Sequence, residues 1–157
     1  MAEKKYEKYI ITENILAANP PPSDVMKSLE KQRMTGNSMD HAALYSLNDK
    51  VIPGGMFTHG HWIWETHGNK GVEIESPHKH DFNEVFGFFC ANRENPRQLN
   101  GEIEFWLEDE KYIIDYSCLV FIPRGLKHAP IVFRNVKSPI FILNAADTAN
   151  YTRSPAK

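Results

Sequence analysis

The sequence predicts an all-β fold, a barrel or sandwich of nine short strands preceded by one small helix, and three observations lead there. From residue 41 onward, β-prone runs alternate with turn residues, with no helical period of useful length between them. The runs follow one another too closely for crossover helices, which leaves a sandwich or a closed barrel. Third, 157 residues with 41% hydrophobic and 11% aromatic content suffice for one self-supporting core, and the aromatics favour strands.

Residues 1–40 form a polar N-terminal extension. Within it, 6–11 reads as a short strand, and Pro20, Pro21 and Pro22 make a rigid run. Ser23 then reads as the N-cap of a short helix ending near Gln32, with Asp24 favourably placed in its first turn. The Gly-, Asn- and Ser-rich stretch 34–40 reads as a loop. The barrel proper occupies 41–146, with strands near 42–46, 55–65, 72–79, 84–90, 101–107, 111–115, 118–122, 128–134 and 138–144. Turn residues at 54–55, 68–69, 81–83, 108–110 and 123–125 separate them, and 147–157 is a C-terminal tail. The polar loop 91–100 is longer than a tight hairpin and reads as the border of an opening or a surface insertion.

Met56-Phe57, Trp62-Ile63-Trp64 and 139–143 are apolar on both faces, whereas a strand with one solvated face alternates. Either the N-terminal segment or a second subunit covers their outer side, and the second choice gives the expectation of a homodimer. A net charge of -2 with scattered Lys and Arg argues against a nucleic-acid partner. The start MAEKKYEKY has no apolar run behind its lysines, and no stretch of the sequence is apolar for long enough to cross a bilayer, so the expectation is a cytoplasmic protein without membrane contact. Cys90 and Cys118 are too few for a disulfide scaffold or a cysteine-rich zinc site.

The chemistry concentrates in Pro77-His78-Lys79-His80-Asp81-Phe82-Asn83-Glu84. On a strand, residues i and i+2 share a face about 6.6 Å apart, so His78 and His80 can converge on one ion with bonds of about 2.1 Å. A straight strand would carry Glu84 about 13 Å beyond His80. The turn-favouring residues Asp81 and Asn83 supply a bend that returns Glu84 beside the histidines. Further on, the turn Pro123-Arg124-Gly125 delivers His128 to the first position of a strand. Glu84 precedes Phe86 and Phe88 on one face, and a carboxylate against that apolar wall requires a compensating cation.

Together the two segments resemble the paired motifs of the cupin superfamily, written G-x5-HxH-x3,4-E-x6-G and G-x5-PxG-x2-H-x3-N. The HxH-x3-E and PxG-x2-H portions match in full, and the resemblance implies His78, His80, Glu84 and His128 as ligands of one divalent metal in a jelly-roll barrel. The flanking positions depart from the pattern: Gly71 lies one residue early, Ala91 and Ser117 stand where glycines belong, and Val132 replaces the asparagine.

His59-Gly60-His61-Trp62-Ile63-Trp64-Glu65 also satisfies HxH-x3-E, but 62–65 are bulky and strand-like, which keeps Glu65 far from His61. On a neighbouring strand, His61 and Glu65 become candidate general acids or bases beside the metal. Phe86, Phe88, Arg134 and Asn144 are candidate pocket residues, Arg134 and Asn144 as anchors for a carboxylate or hydroxyl. Three nitrogens and one oxygen suit Zn, Fe, Mn, Ni, Co or Cu. The expectation is a metalloenzyme acting on a small oxygen-rich molecule such as a hydroxy- or keto-acid, sugar acid or phenolic. Lyase, isomerase or decarboxylase chemistry fits, or dioxygenase chemistry with iron. The alternative is a non-catalytic metal- and ligand-binding protein with a sensor or accessory role.

Overall fold

The computed structural model describes residues 4–13 and 20–156. Among the described residues one α-helix, α1 (Ser23–Met34), precedes eleven strands: β1 (Ser38–Leu47), β2 (Thr58–His67), β3 (Val72–Glu75), β4 (His78–Lys79), β5 (Glu84–Cys90), β6 (Gln98–Leu107), β7 (Glu110–Tyr116), β8 (Cys118–Ile122), β9 (His128–Arg134), β10 (Ile140–Ala146) and β11 (Ser154–Pro155). They form two antiparallel sheets, ordered β1-β2-β10-β5-β8 and β11-β4-β9-β6-β7, with β3 also pairing β9. Across these sheets β2 pairs β10, β4 pairs β9, β5 pairs β8 and β6 pairs β7. Nested pairing of this kind, from β2 with β10 inward to β6 with β7, is a long antiparallel ribbon wound into a barrel, the jelly roll.

The core fills the space between the sheets. Strand β10 shows why: Ile140, Ile142, Asn144 and Ala146 are buried while the residues between them are not, the period-two pattern of a strand with one inner face. Ile63, Phe86 and Phe88 meet Ile103, Phe105, Ile131 and Phe133 from the opposite sheet.

Several sequence expectations change. Residues 6–11 form no strand; Glu7–Tyr9 is a 3₁₀ turn with Tyr6 stacked on Tyr9 at 6.5 Å, because no neighbouring strand offers a ladder. The helix starts one residue earlier than a Ser23 cap implies: Pro22 occupies the cap position without a side-chain hydrogen bond, and Ser23 is already helical. The stretch 34–40 is only partly a loop, since β1 begins at Ser38. The predicted strand 72–79 divides into β3 and β4, with Ser76 and Pro77 between them. Helix α1 docks through Gln32, whose amide Nε2 donates to Glu73 O at 2.9 Å while Oε1 accepts from Glu73 N at 2.8 Å. Among the described residues no helix is long and apolar enough to cross a membrane.

Candidate metal centre

Two turns meet at one end of the barrel. Asn83, before β5, donates its backbone N–H and side-chain Nδ2 to the Asp147 carboxylate at 2.8 and 2.6 Å, and its Oδ1 accepts from Arg124 N at 3.0 Å. Gly125, at φ +82, donates to His80 O at 2.8 Å. That left-handed turn needs glycine, and it ties the loop before His128 to the loop after His80. The 81–83 bend therefore exists and is clamped from both sides.

The consequence is a buried cluster: the ligand atoms of His78, His80, Glu84 and His128 all lie within 4.8 Å of one another. Glu84 and His128 are fully buried, and His78 and His80 nearly so. Each imidazole is anchored through Nδ1, which donates to Ser76 O at 2.7 Å in His78, to Thr152 O at 2.6 Å in His80 and to Leu126 O at 3.1 Å in His128. A carbonyl oxygen only accepts, so the shared proton sits on Nδ1 and, in the neutral ring, Nε2 is a bare lone pair.

Those lone pairs face the Glu84 carboxylate, with Oε2 3.0 Å from His128 Nε2 and 3.3 Å from His80 Nε2. The spacing would suit hydrogen bonds, but neutral rings have no Nε2 proton to give, and neither Glu84 oxygen nor His128 Nε2 has a hydrogen-bond partner. Acceptors pressed against acceptors in a dry interior are costly unless a cation lies between them. The donor set thus fits a divalent metal bound by three nitrogens and one carboxylate oxygen. Burial, aided by the neighbouring imidazoles, pushes His78 down to about 3, which keeps it neutral.

Beside this cluster is a cavity of about 680 Å³ between α1, β1, β2, β3 and the tail. None of the four cluster residues lines it. Tyr151 does, and its O–H faces His80 Nε2 at 3.1 Å and His78 Nε2 at 3.4 Å, with one proton to donate to one of them. Burial and the Glu84 and Glu75 charges raise its ionisation far above the ordinary phenol range. Arg153 also lines the cavity and is ion-paired, donating to Glu75 at 2.5 Å and to both Asp24 oxygens at 2.6 Å. Pairing of β11 with β4, Ser154 opposite Lys79 and Pro155 opposite His78, holds this tail in place. Sequence reasoning missed Tyr151, Arg153 and Glu75; the only hint was the i, i+2 spacing of Tyr151 and Arg153.

Of the sequence candidates, His61, Phe86 and Asn144 line the cavity, joined by His59. Glu65 does not: β10 pairs β2 only as far as Ile63, a register shift follows at Asp40/His41, and Glu65 lies exposed beside Asp40 and His67. Phe88 is fully buried in the core against Phe86, Phe105 and Phe133, away from the cavity wall. Arg134 faces outward, donating to Glu104 at 3.1 Å and to Lys70 O. The loop after β5 does not border the cavity either.

Strand order and buried cluster together define a jelly-roll barrel with a buried three-histidine, one-glutamate group. No family model matches the sequence, and no curated protein matches it. Similar solved structures include an oxalate oxidase at 17% identity and TM-score 0.47, covering 74% of this chain and 55% of that one. A predicted oxalate decarboxylase from Thermotoga maritima matches at 15% identity and TM-score 0.44, over 70% and 82% of the two chains. An RmlC-like cupin from Shewanella frigidimarina matches at 14% identity and TM-score 0.39, over 69% and 75%. The chain spans about half the length of the oxalate oxidases it matches. Those activities belong to those proteins.

Proposed function

We propose that the protein is a metalloenzyme holding one divalent transition metal through His78, His80, Glu84 and His128 and acting on a small oxygen-rich molecule in the adjacent cavity. The observation that carries the reading is the set of mutually facing acceptors with Nδ1 of every ring already committed to a carbonyl. When bound, the ion supplies Lewis acidity toward a chelating hydroxy-acid, keto-acid, sugar acid or phenol. Tyr151 holds one proton at Oη between the cavity and the ligand nitrogens, where it can hydrogen-bond a substrate oxygen. Arg153 fixes the tail through Glu75 and Asp24, so that Oη stays aimed at the cluster. Zinc, which has no redox chemistry, restricts the outcome to lyase, isomerase or decarboxylase reactions, and a redox-active ion such as iron adds dioxygenation.

A second reading, metal and ligand binding without turnover, has one observation in its favour: the four ligands are hidden from the cavity wall. Metal-loaded wild type and Tyr151→Phe, incubated with 2-hydroxy acids, 2-keto acids, uronates and catechols, separate the two. The enzyme reading expects metal-dependent product that falls about a hundredfold in Tyr151→Phe at unchanged metal content. Thermal stabilisation without product supports the binder, and neither effect from any class would overturn both.

Two further elements belong to the same proposal. A homodimer is supported by the exposed apolar Phe89, Leu119 and Phe121 on the outer face of β5 and β8, and sedimentation at monomer mass would end it. A cytoplasmic setting is supported by the free thiols of Cys90 and Cys118.

A further inference from the structure

The cavity wall away from the metal has a definite chemistry. Strand β2 contributes His59 and His61 and β10 contributes Asn144, which pairs with His59 on one side and Phe86 on the other. His59 is engaged, its Nδ1 2.6 Å from Ser46 Oγ. His61 and Asn144 are not: His61 Nδ1 and Asn144 Oδ1 are shielded from solvent and have no hydrogen-bond partner among the described residues. Asn144 is only 9% exposed. Buried amide and imidazole groups are normally satisfied, so this pair is short of a polar partner.

The remaining wall says what kind of partner. Val25, Met26 and Leu29 of α1, with Met39, Val72 and Ile74, make it largely apolar. Its two guanidinium groups are already ion-paired, Arg153 with Glu75 and Asp24, and Arg33 with Glu30 at 3.0 Å on the exposed rim. Burial pushes His61 down to about 3, so it offers no positive charge either. A second acidic group on the ligand would meet no free cation and would lose its hydration.

We infer that the cavity takes a ligand with one chelating oxygen head and an uncharged, largely apolar body bearing a hydroxyl or carbonyl for Asn144 and His61. It discriminates against a second acidic group on that body. The placement of the head rests on the metalloenzyme reading; the selection of the body does not. The volume, about 680 Å³, accommodates a ligand of this size.

Titration calorimetry on the full metal-loaded chain tests this with four 2-hydroxy acids that share one head: lactate, malate, 3-phenyllactate and 3-(4-hydroxyphenyl)lactate. The expected order is hydroxyphenyllactate over phenyllactate by about five- to tenfold, phenyllactate over lactate by at least about tenfold, and malate no tighter than lactate. Asn144→Leu and His61→Phe, each checked for retained metal, should reduce the hydroxyphenyl-to-phenyl ratio to about one. Malate binding tightest, no binding of either aromatic acid, or an unchanged ratio in both variants would overturn the inference. If the same order persists after the metal is stripped, the body selection stands and the placement of the head at a metal falls.

Discussion

The chain contains HxH-x3-E twice, and the two copies came to different ends within one barrel. His59 and His61 lie on the long strand β2, with ring centroids 5.3 Å apart, and Glu65 is carried out into solvent. His78 lies on a two-residue strand and His80 directly after it, just before a clamped bend, with centroids 4.7 Å apart, and Glu84 returns fully buried beside them. Spacing in sequence is therefore not what makes a metal site. The bend at 81–83 and the three carbonyls that orient the Nδ1 atoms do so. The copy on β2 lacks both and instead supplies cavity wall.

The difference predicts a hierarchy of effects. Replacing Glu84 by Gln should weaken metal affinity by more than the about 10–100-fold typical of losing an outer partner, while Glu65→Gln leaves it unchanged; equal losses in a competition titration would erase the distinction. Stripping the metal with a chelator should lower the Tm of wild type by about 5–15 °C, the stabilisation expected when ligand exceeds Kd by about 100- to 1,000-fold. The double variant His78→Ala/His80→Ala should show no such chelator response, and a full response there would contradict the assignment.

The third effect is pH dependence of the metal-free protein. His61 and His78, both near 3 when folded, bind protons in the unfolded chain below about 6.5, so stability falls as pH falls. Glu75, pushed up to about 7 chiefly by burial, takes up a proton in the folded state first and opposes this. Between pH 6.5 and 4.5 the net is roughly one proton, a loss of about 1.4 kcal/mol per pH unit; a flat urea midpoint across that window would contradict it. Smallest of all, Glu65→Gln should change stability by less than about 0.5 kcal/mol, because the residue is exposed and its near neighbours are exposed too.

Much of the fold was readable because it is periodic: alternation in β10 and turn residues between strands are local signals. The cluster was readable for the same reason, since Asp81 and Asn83 mark a bend and Pro123 and Gly125 a turn. The tail was not. The β11 strand is two residues long and pairs with β4 more than 70 residues away, so no pattern within 147–157 reveals that Thr152 O orients His80 or that Tyr151 covers the cluster. The facing of Arg134 and Phe88 was not readable either: parity says which residues share a side, but Glu104 and Lys70 decide where Arg134 points, and packing from the opposite sheet encloses Phe88.

The central claim is that the second copy of the motif, and not the first, holds a metal. Elemental analysis of protein purified without added metal tests it in three forms: wild type, His59→Ala/His61→Ala and His78→Ala/His80→Ala. About one divalent ion per chain is expected in the first two, as a single four-ligand site requires, and none in the third. Full occupancy in the third form, or loss confined to the His59/His61 variant, would contradict it.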